Sequence, residues 1–195
     1  MVIDYPNLIK QLNHYQQEAK AFGCEQADCG FLATVSDSGQ PSVRIITIYQ
    51  ITEQGLLFLA NKNSGKIRHL QLNPKAGLCF YWDEIHLQIT VEGIVEPLDH
   101  TTTCELWNRR DHQANLTAWA IDIAKDNKAN DNLVENKQLI RQRTQATRLP
   151  LAESWWGYGL KPKRIDLWNS QWHKNKQHQA YSYRGGCWQQ TTYHY

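Results

Sequence analysis

The sequence predicts a mainly β protein with flanking helices, an α+β class whose strands form an antiparallel β-barrel. Two observations lead to this class. Residues 31–66 contain three short apolar runs of strand type, separated by the glycine-bearing turn clusters 36–39 (SDSG) and 52–55 (TEQG). Residues 85–95 (IHLQITVEGIV) alternate between apolar and polar side chains, as strands with one buried face do. Short runs joined by short turns favour antiparallel hairpins over βαβ units.

The composition limits the classes of function. A chain of 195 residues is long enough for a real core and predicts one domain, or one subunit of an intertwined dimer. The net charge of +2 implies neither a nucleic-acid nor a membrane partner, and no stretch has the length of a transmembrane helix. The N-terminus lacks a signal-peptide core, and the five scattered cysteines predict free thiols in the cytoplasm. Eight tryptophans and nine tyrosines suit a core, an interface or a flat cofactor pocket.

The single domain is expected to have four parts in chain order. These are an N-terminal covering helix in 1–30, barrel strands in 31–98, a helical segment in 99–148 and C-terminal strands in 149–195. Apolar residues at helical intervals place the first helix over 7–22, ahead of Gly23. The first three strands are predicted at 31–35, 43–49 and 56–60.

The polar loop 61–66 after the third strand opens a short helix through 67–72, which ends before Asn73 and Pro74. Ser64 is a good N-cap residue, and Pro74 is a plausible stop. The N-terminus of a helix suits a phosphate, because its N–H groups are free and its dipole end is positive. Lys66 lies in the first turn, where a cation is unfavourable unless an anion is bound. The alternative is a solvated lysine on a surface helix.

Further strands and helices follow from the same patterns. The runs 77–82 and 85–95 are predicted strands, and Gln88 lies on the polar face of the second, as a cofactor contact or simply as an exposed residue. Helices are predicted over 99–107, capped by Asp99, and over 111–124. Arg109 and Arg110 lie between these helices, as an anion site or as two solvated arginines.

The last third of the chain alternates polar and strand-like segments. Residues 125–136 are predicted to be a surface connection, and 133–148 an amphipathic helix. Residues 164–168 alternate as a strand, and 181–188 predict a closing hairpin around Gly185 and Gly186.

Three segments together resemble the pyridoxamine 5′-phosphate oxidase family, which are FMN-binding split-barrel flavoproteins. They are 44–48 (RIITI), 58–66 (FLANKNSGK) and 150–168, whose pattern P-x-x-x-x-W-x-G-Y-x-L-x-P-x-x-I-D-L-W matches the C-terminal signature of the family. The resemblance covers residues 31–188, in order and with similar spacing. It implies a homodimer with FMN at its interface, hydride transfer from a small substrate to FMN, and reoxidation by oxygen to hydrogen peroxide.

The resemblance also implies a set of cofactor contacts. Arg44, Ser64 and Lys66 match residues near the FMN phosphate, Gln88 and Trp168 match ring contacts, and the run 45–48 matches backbone along the flavin. Three positions depart from the family: Gly65 and His178 replace arginines, and Ala60 replaces a hydroxyl residue. The full set of expected cofactor residues is Arg44, Ile45, Ile46, Thr47, Leu59, Ala60, Ser64, Gly65, Lys66, Gln88, Trp168 and His178.

The substrate side departs further. The family binds its substrate phosphate through a lysine, a tyrosine, an arginine and a serine, which align with Tyr49, Leu106, Arg110 and Ala114, so only the arginine is kept. The family motif R-x-H aligns near Lys174 and Lys176. Each lost charge-assisted bond costs on the order of 1.5–3 kcal/mol. Three functions therefore remain open: oxidation of pyridoxamine or pyridoxine 5′-phosphate, oxidation of another aromatic substrate such as a phenazine precursor, and cofactor binding without catalysis. No metal site is predicted, and no residue is assigned to the chemical step.

Overall fold

A computed structural model describes residues 2–126, 132–143, 148–169 and 177–194. The strands are β1 Val2–Ile3, β2 Cys29–Val35, β3 Pro41–Thr52, β4 Gly55–Asn61, β5 Lys75–Trp82, β6 Leu87–Pro97, β7 Trp155–Asn169, β8 Gln177–Arg184 and β9 Cys187–His194. The helices are α1 Tyr5–Ala21, α2 Gly65–Leu72, α3 His100–Arg109, α4 His112–Asp126 and α5 Leu133–Arg143, with a 3₁₀ turn at Asp83–Ile85.

Six strands close into an antiparallel barrel in the order β4-β3-β2-β5-β6-β7. The ring closes because β7 pairs with β6 along one edge and with β4 along the other. Strands β8, β9 and β1 continue the sheet outward from β7. The predicted class, a mainly β antiparallel barrel with flanking helices, is confirmed.

Alternate residues of each barrel strand fill the interior. Leu87, Ile89 and Val91 of β6 are buried, whereas Gln88 and Thr90 are partly exposed, as the alternation predicted. Helix α1 covers the barrel with Leu8 and Leu12, which are buried in the same core cluster. The outward side chains of each strand therefore form a second surface, which is where the candidate site lies.

The closure of the barrel requires glycine at one point. The register between β6 and β7 shifts at Glu92 and Gly93, and the two backbones approach closely there. A Cβ on Gly93 would lie 2.1 Å from the carbonyl oxygen of Lys161, which is far inside van der Waals contact. Only glycine allows this approach.

Helix α3 packs on the outer side of β4 and β7. Asp99 caps it as predicted, accepting a hydrogen bond from the Thr102 N–H at 2.8 Å. Its residues Leu106 and Trp107 form a second apolar cluster with Leu57 and Leu59 of β4. This helix thus brings Arg110, the residue after its last turn, beside the barrel wall.

Several predicted boundaries were wrong. Helix α5 begins at Leu133, as predicted, but the predicted surface connection 125–136 overlaps the end of α4 and the first turn of α5. Asn136 is buried in this stretch, so the polar composition of the stretch did not indicate an exposed loop. Strand β7 spans Trp155–Asn169, because its N-terminal half pairs with β4 while the predicted part, 164–168, pairs with β8. The closing hairpin is confirmed and is longer than predicted, and β1 was not foreseen.

Candidate functional site

The N-terminus of α2 forms a corner suited to an anion. Ser64 occupies the predicted N-cap position, but its hydroxyl makes no capping bond. The hydroxyl oxygen is buried and has no hydrogen-bond partner in the part of the chain that the structure describes. No acidic residue lies in the first turn. The N–H groups of Ile67 and Arg68 donate to the Ser64 carbonyl, so the N–H groups of Gly65 and Lys66 and the Ser64 hydroxyl are the donors of this turn that can meet a ligand.

Two cations meet at this corner. Burial and the neighbouring Arg44 guanidinium together lower the pKa of Lys66 below its ordinary value. Arg44 is held from three sides: its guanidinium donates to the Leu32 carbonyl at 3.1 Å, to Thr34 at 2.7 Å and to Ser42 at 2.6 Å. Fixed like charges in a partly desolvated place are unfavourable unless an anion lies between them.

A row of side chains crosses the outer surface of β5, β6, β7 and β8. Tyr81, Gln88, Trp168 and His178 lie directly opposite one another on successive strands, so they share one face of the sheet. This row reaches a cavity of about 730 Å³, lined by Gln88, Thr90, Glu92, Arg164, Asp166, Trp168 and His178. Gln88 and Trp168, predicted from the resemblance to contact the cofactor ring, are thus brought together with His178, which was predicted to bind the cofactor.

A charged network that the sequence reasoning missed forms one wall of this cavity. Both carboxylate oxygens of Asp166 accept from Arg164 at 2.6 Å, and Nε2 of His178 lies 2.9 Å from the same carboxylate. The Asp166 carboxylate raises the pKa of Arg164. Arg164 and Asp166 alternate outward on the predicted strand, and that alternation was the only signal in the sequence.

Large apolar side chains are exposed on the same outer surface. Val43 is 62%, Ile45 58% and Phe31 47% exposed, and Tyr81 and Trp168 are also exposed. Phe31 pairs with Ile45 and with Cys79, which places these residues next to the Tyr81 end of the row. An apolar sheet surface of this kind is typical of an interaction site.

Arg110 lies on the substrate side of the predicted site. Its guanidinium carbon is 4.0 Å from the centroid of the Trp155 ring and 5.5 Å from that of Trp107. Its Nη1 and the Trp155 indole Nε1 are buried and lack acceptors within the described residues. Burial raises the pKa of Tyr49, and the nearby guanidinium of Arg110 opposes part of that rise. The two neighbouring arginines lie in different environments. Arg110 is partly buried, whereas Arg109 is exposed.

The remaining predicted residues fall into different environments. Leu106 is fully buried, and so are Ile46, Leu59 and Ala60, so their side chains belong to apolar clusters and only their backbones can meet a ligand. Thr47 and Ile45 are exposed on the outer surface, and Gly65 and Ala114 are partly exposed. Lys174 and Lys176 lie outside the described residues. The binding roles of all these residues stay predictions.

The described residues contain no group of three or more His, Cys, Asp or Glu placed to hold a metal ion. Among them, no helix is long and apolar enough to cross a membrane. All five cysteines are free thiols.

A closed antiparallel barrel with a cationic helix N-terminus and a row of aromatic and polar side chains on its outer surface fits the split-barrel class of flavin-binding proteins. Comparison with known proteins narrows the class. A family model described as pyridoxamine 5′-phosphate oxidase matches residues 15–149. The chain belongs to the pyridoxamine 5′-phosphate oxidase family, as its sequence motifs indicated.

Named relatives agree with this membership. A pyridoxine/pyridoxamine 5′-phosphate oxidase of Cupriavidus metallidurans is 31% identical over 187 residues, covering 94% of this chain and 87% of the relative. One of Teredinibacter turnerae is 29% identical over 184 residues, with coverage of 94% and 87%.

Solved structures confirm the fold. PhzG from Burkholderia lata 383, crystallised with tetrahydrophenazine-1-carboxylic acid, superposes with a TM-score of 0.82 at 22% identity, over 96% of this chain and 92% of that one. A pyridoxamine 5′-phosphate oxidase-related, FMN-binding protein from Nostoc punctiforme gives a TM-score of 0.72 at 16% identity, over 98% and 97%.

Membership of the family confirms FMN as the cofactor, and the residues present fit it. The buried hydroxyl of Ser64 lacks a partner among the described residues, and Lys66 and Arg44 form a cationic pair beside it, as a phosphate requires. Trp168 and Gln88 offer an aromatic face and an amide to a planar ring. The departures at Gly65 and Ala60 leave Arg44 and Lys66 in place at this corner.

Proposed function

We propose that this protein is an FMN-dependent oxidoreductase that oxidises a small aromatic substrate. The carrying observation is the cationic corner formed by Arg44, Ser64 and Lys66, on the same barrel as the row from Gln88 to His178. The corner suits the phosphate of FMN and the row suits its ring. Bound FMN would supply the redox chemistry, taking a hydride from a substrate carbon and passing the electrons to oxygen to give hydrogen peroxide.

The protein residues bind and orient. Arg44 and Lys66 neutralise the phosphate, and the three hydrogen bonds on Arg44 keep its charge at the corner. Trp168 and Gln88 fix the plane of the ring. The Asp166 carboxylate, itself held by Arg164, orients the imidazole of His178 toward the cavity that the ring would share.

We further propose a homodimer in which the outer barrel surfaces of two copies face each other, with FMN between them. The exposed side chains of Phe31, Val43 and Ile45 would be buried in such a dimer. The row from Tyr81 to His178 lies on the same surface. Dimer formation would therefore exclude water from the apolar side chains and from this row together. The five free thiols fit a cytoplasmic location, which we also propose.

The first candidate substrate class is the vitamin B6 5′-phosphates. The named relatives are pyridoxine/pyridoxamine 5′-phosphate oxidases, and Arg110 is the one phosphate-binding residue of the family kept here. Its buried Nη1 has no acceptor in the described part of the chain, and a substrate anion would supply one. Lys174 and Lys176 are proposed to contribute further charge.

A second candidate is a different planar aromatic substrate. Tyr49 and Ala114 stand where the family has a lysine and a serine, and Leu106 replaces a tyrosine and is buried in an apolar cluster. One arginine matches a singly charged carboxylate better than a phosphate of nearly two charges. PhzG, whose fold is similar, was crystallised with an aromatic carboxylic acid.

A turnover assay in air tests the proposal. The FMN-loaded protein is incubated with pyridoxamine 5′-phosphate and, separately, with reduced phenazine-type carboxylic acids, and hydrogen peroxide is measured. Saturable peroxide formation with one of them, lost in Arg110→Gln, is the expected result. A protein that holds FMN but oxidises neither class would be a cofactor-binding module, which contradicts the proposal.

A further inference from the structure

The corner that would hold the FMN phosphate contains a cationic side chain that the resemblance does not assign. The family has an arginine where this chain has Gly65, so one positive charge is missing from the sequence at that position. Arg68 lies one helical turn further along α2, on the same side of the helix as position 65.

The side chain of Arg68 turns back toward the N-terminus of α2. Its Nη1 donates to the carbonyl oxygen of Asn63 at 3.2 Å, which fixes the guanidinium beside the loop 61–64. Its Nη2 lies 3.8 Å from the position that a Cβ on Gly65 would occupy, and among the described residues no other atom beyond the chain neighbours and the backbone of α2 is within 4 Å of that position. The guanidinium of Arg68, which is exposed to solvent, therefore lies beside the position where a side chain is missing.

The chemistry at this point suits an anion contact. Nη2 has no hydrogen-bond acceptor among the described residues, and Arg68 makes no ion pair there. The guanidinium of Arg44 already donates hydrogen bonds to Leu32, Thr34 and Ser42. A phosphate with three oxygens therefore needs donors from other residues. The buried hydroxyl of Ser64, unpartnered in the described chain, is a further unsatisfied polar group at the start of the same helix.

We propose that Arg68 binds the phosphate of FMN and replaces in space the arginine that Gly65 lacks. The inference rests on the proposed FMN site and adds to it a residue that recognises the phosphate specifically. Because Gly65 has no side chain, the side chain of Arg68 can extend past position 65 without a steric clash. The guanidinium of Arg68 would then add two N–H donors to the charges of Arg44 and Lys66.

The test compares FMN with riboflavin, which lacks the phosphate. The full chain is stripped of flavin, and each ligand is titrated while flavin fluorescence is followed. Arg68→Ala is expected to weaken FMN binding on the order of 10-fold, the effect of losing one charge-assisted bond, while riboflavin binding is unchanged. Gly65→Arg added to Arg68→Ala is expected to restore the affinity for FMN.

Lys75→Ala is the matched control, because it removes an exposed cation beyond the other end of α2. It is expected to leave both affinities unchanged. An Arg68→Ala variant that binds FMN as the wild type does, or that loses both ligands equally, overturns the role of Arg68 alone. A wild-type protein that binds FMN no better than riboflavin overturns the phosphate corner itself and the proposed function with it.

Discussion

At the scale of single residues, the charge of Lys66 is electrostatically unfavourable where it lies unless an anion is bound beside it. Its ammonium group is partly buried next to Arg44, and both effects lower its pKa. Lys66→Met is expected to raise the melting temperature of the flavin-free protein, because the repulsion between the two cations is removed. It is expected to weaken FMN binding about 10-fold or more, because a charge-assisted bond to the phosphate is lost.

Calorimetry of the flavin-free protein and an FMN titration measure the two effects. Lys62→Met is the control, since Lys62 is an exposed cation of the same loop that lies over the Trp156 ring, 5.6 Å from its centroid. A Lys66→Met variant that is less stable than the wild type and still binds FMN as tightly would contradict both the repulsion from Arg44 and the binding of the FMN phosphate by Lys66.

Residue-level prediction from the sequence succeeded where a short motif fixes local geometry. Ser64 and Lys66 could be placed at a helix start because polar capping residues precede a short apolar helix. Arg68, Arg164 and Asp166 could not be assigned, because their roles depend on where a side chain turns and on which strands pair. Leu106 could be aligned with a substrate residue, but its burial depends on the packing of α3.

At the scale of elements, the barrel depends on the crossing of β6 and β7 at Gly93. A side chain there would lie 2.1 Å from the Lys161 carbonyl oxygen, so the two backbones would have to separate. Gly93→Ala is expected to lower the free energy of unfolding by about 3 kcal/mol, the upper part of the usual range for overpacking. Denaturant unfolding measures this change.

Gly77→Ala is the matched control for this prediction. Gly77 lies in β5, and a Cβ there meets no atom within 4 Å. The substitution is expected to be neutral or stabilising by roughly 0.5–1 kcal/mol, because alanine loses less entropy on folding. Equal stability of the Gly93 and Gly77 variants would show that the backbone approach is not needed.

The elements themselves were more predictable than their partners. Alternation and glycine-bearing turns located the strands of 29–61 and 75–97, because hairpin strands carry their own pattern. The length of β7 was underestimated because its N-terminal half, rich in glycine and tryptophan, becomes a strand by pairing with β4. Such distant pairing leaves little trace in local composition.

At the scale of the whole molecule, the proposed function requires two copies. The exposed surface around Val43 and Ile45 is the expected contact, and a carboxylate there would be desolvated without a partner. Val43→Asp is expected to convert a dimer into a monomer in sedimentation and to weaken FMN binding in parallel. Val2→Asp, at an equally exposed valine outside this surface, is expected to change neither.

A wild-type protein that sediments as a 22.7 kDa monomer while binding FMN would contradict the shared site. A dimer that survives Val43→Asp would move the interface to another surface of the barrel.

The most direct test of the central claim is the reduction of bound flavin by a substrate without oxygen. The FMN-loaded protein is mixed anaerobically with pyridoxamine 5′-phosphate, or with a reduced phenazine-type acid, while the yellow absorbance is followed. The proposed site predicts bleaching at modest substrate concentration with one of these donors, and a much slower bleaching in Arg110→Gln. Flavin that binds tightly and stays oxidised with every donor would show that this barrel holds FMN without using it for oxidation.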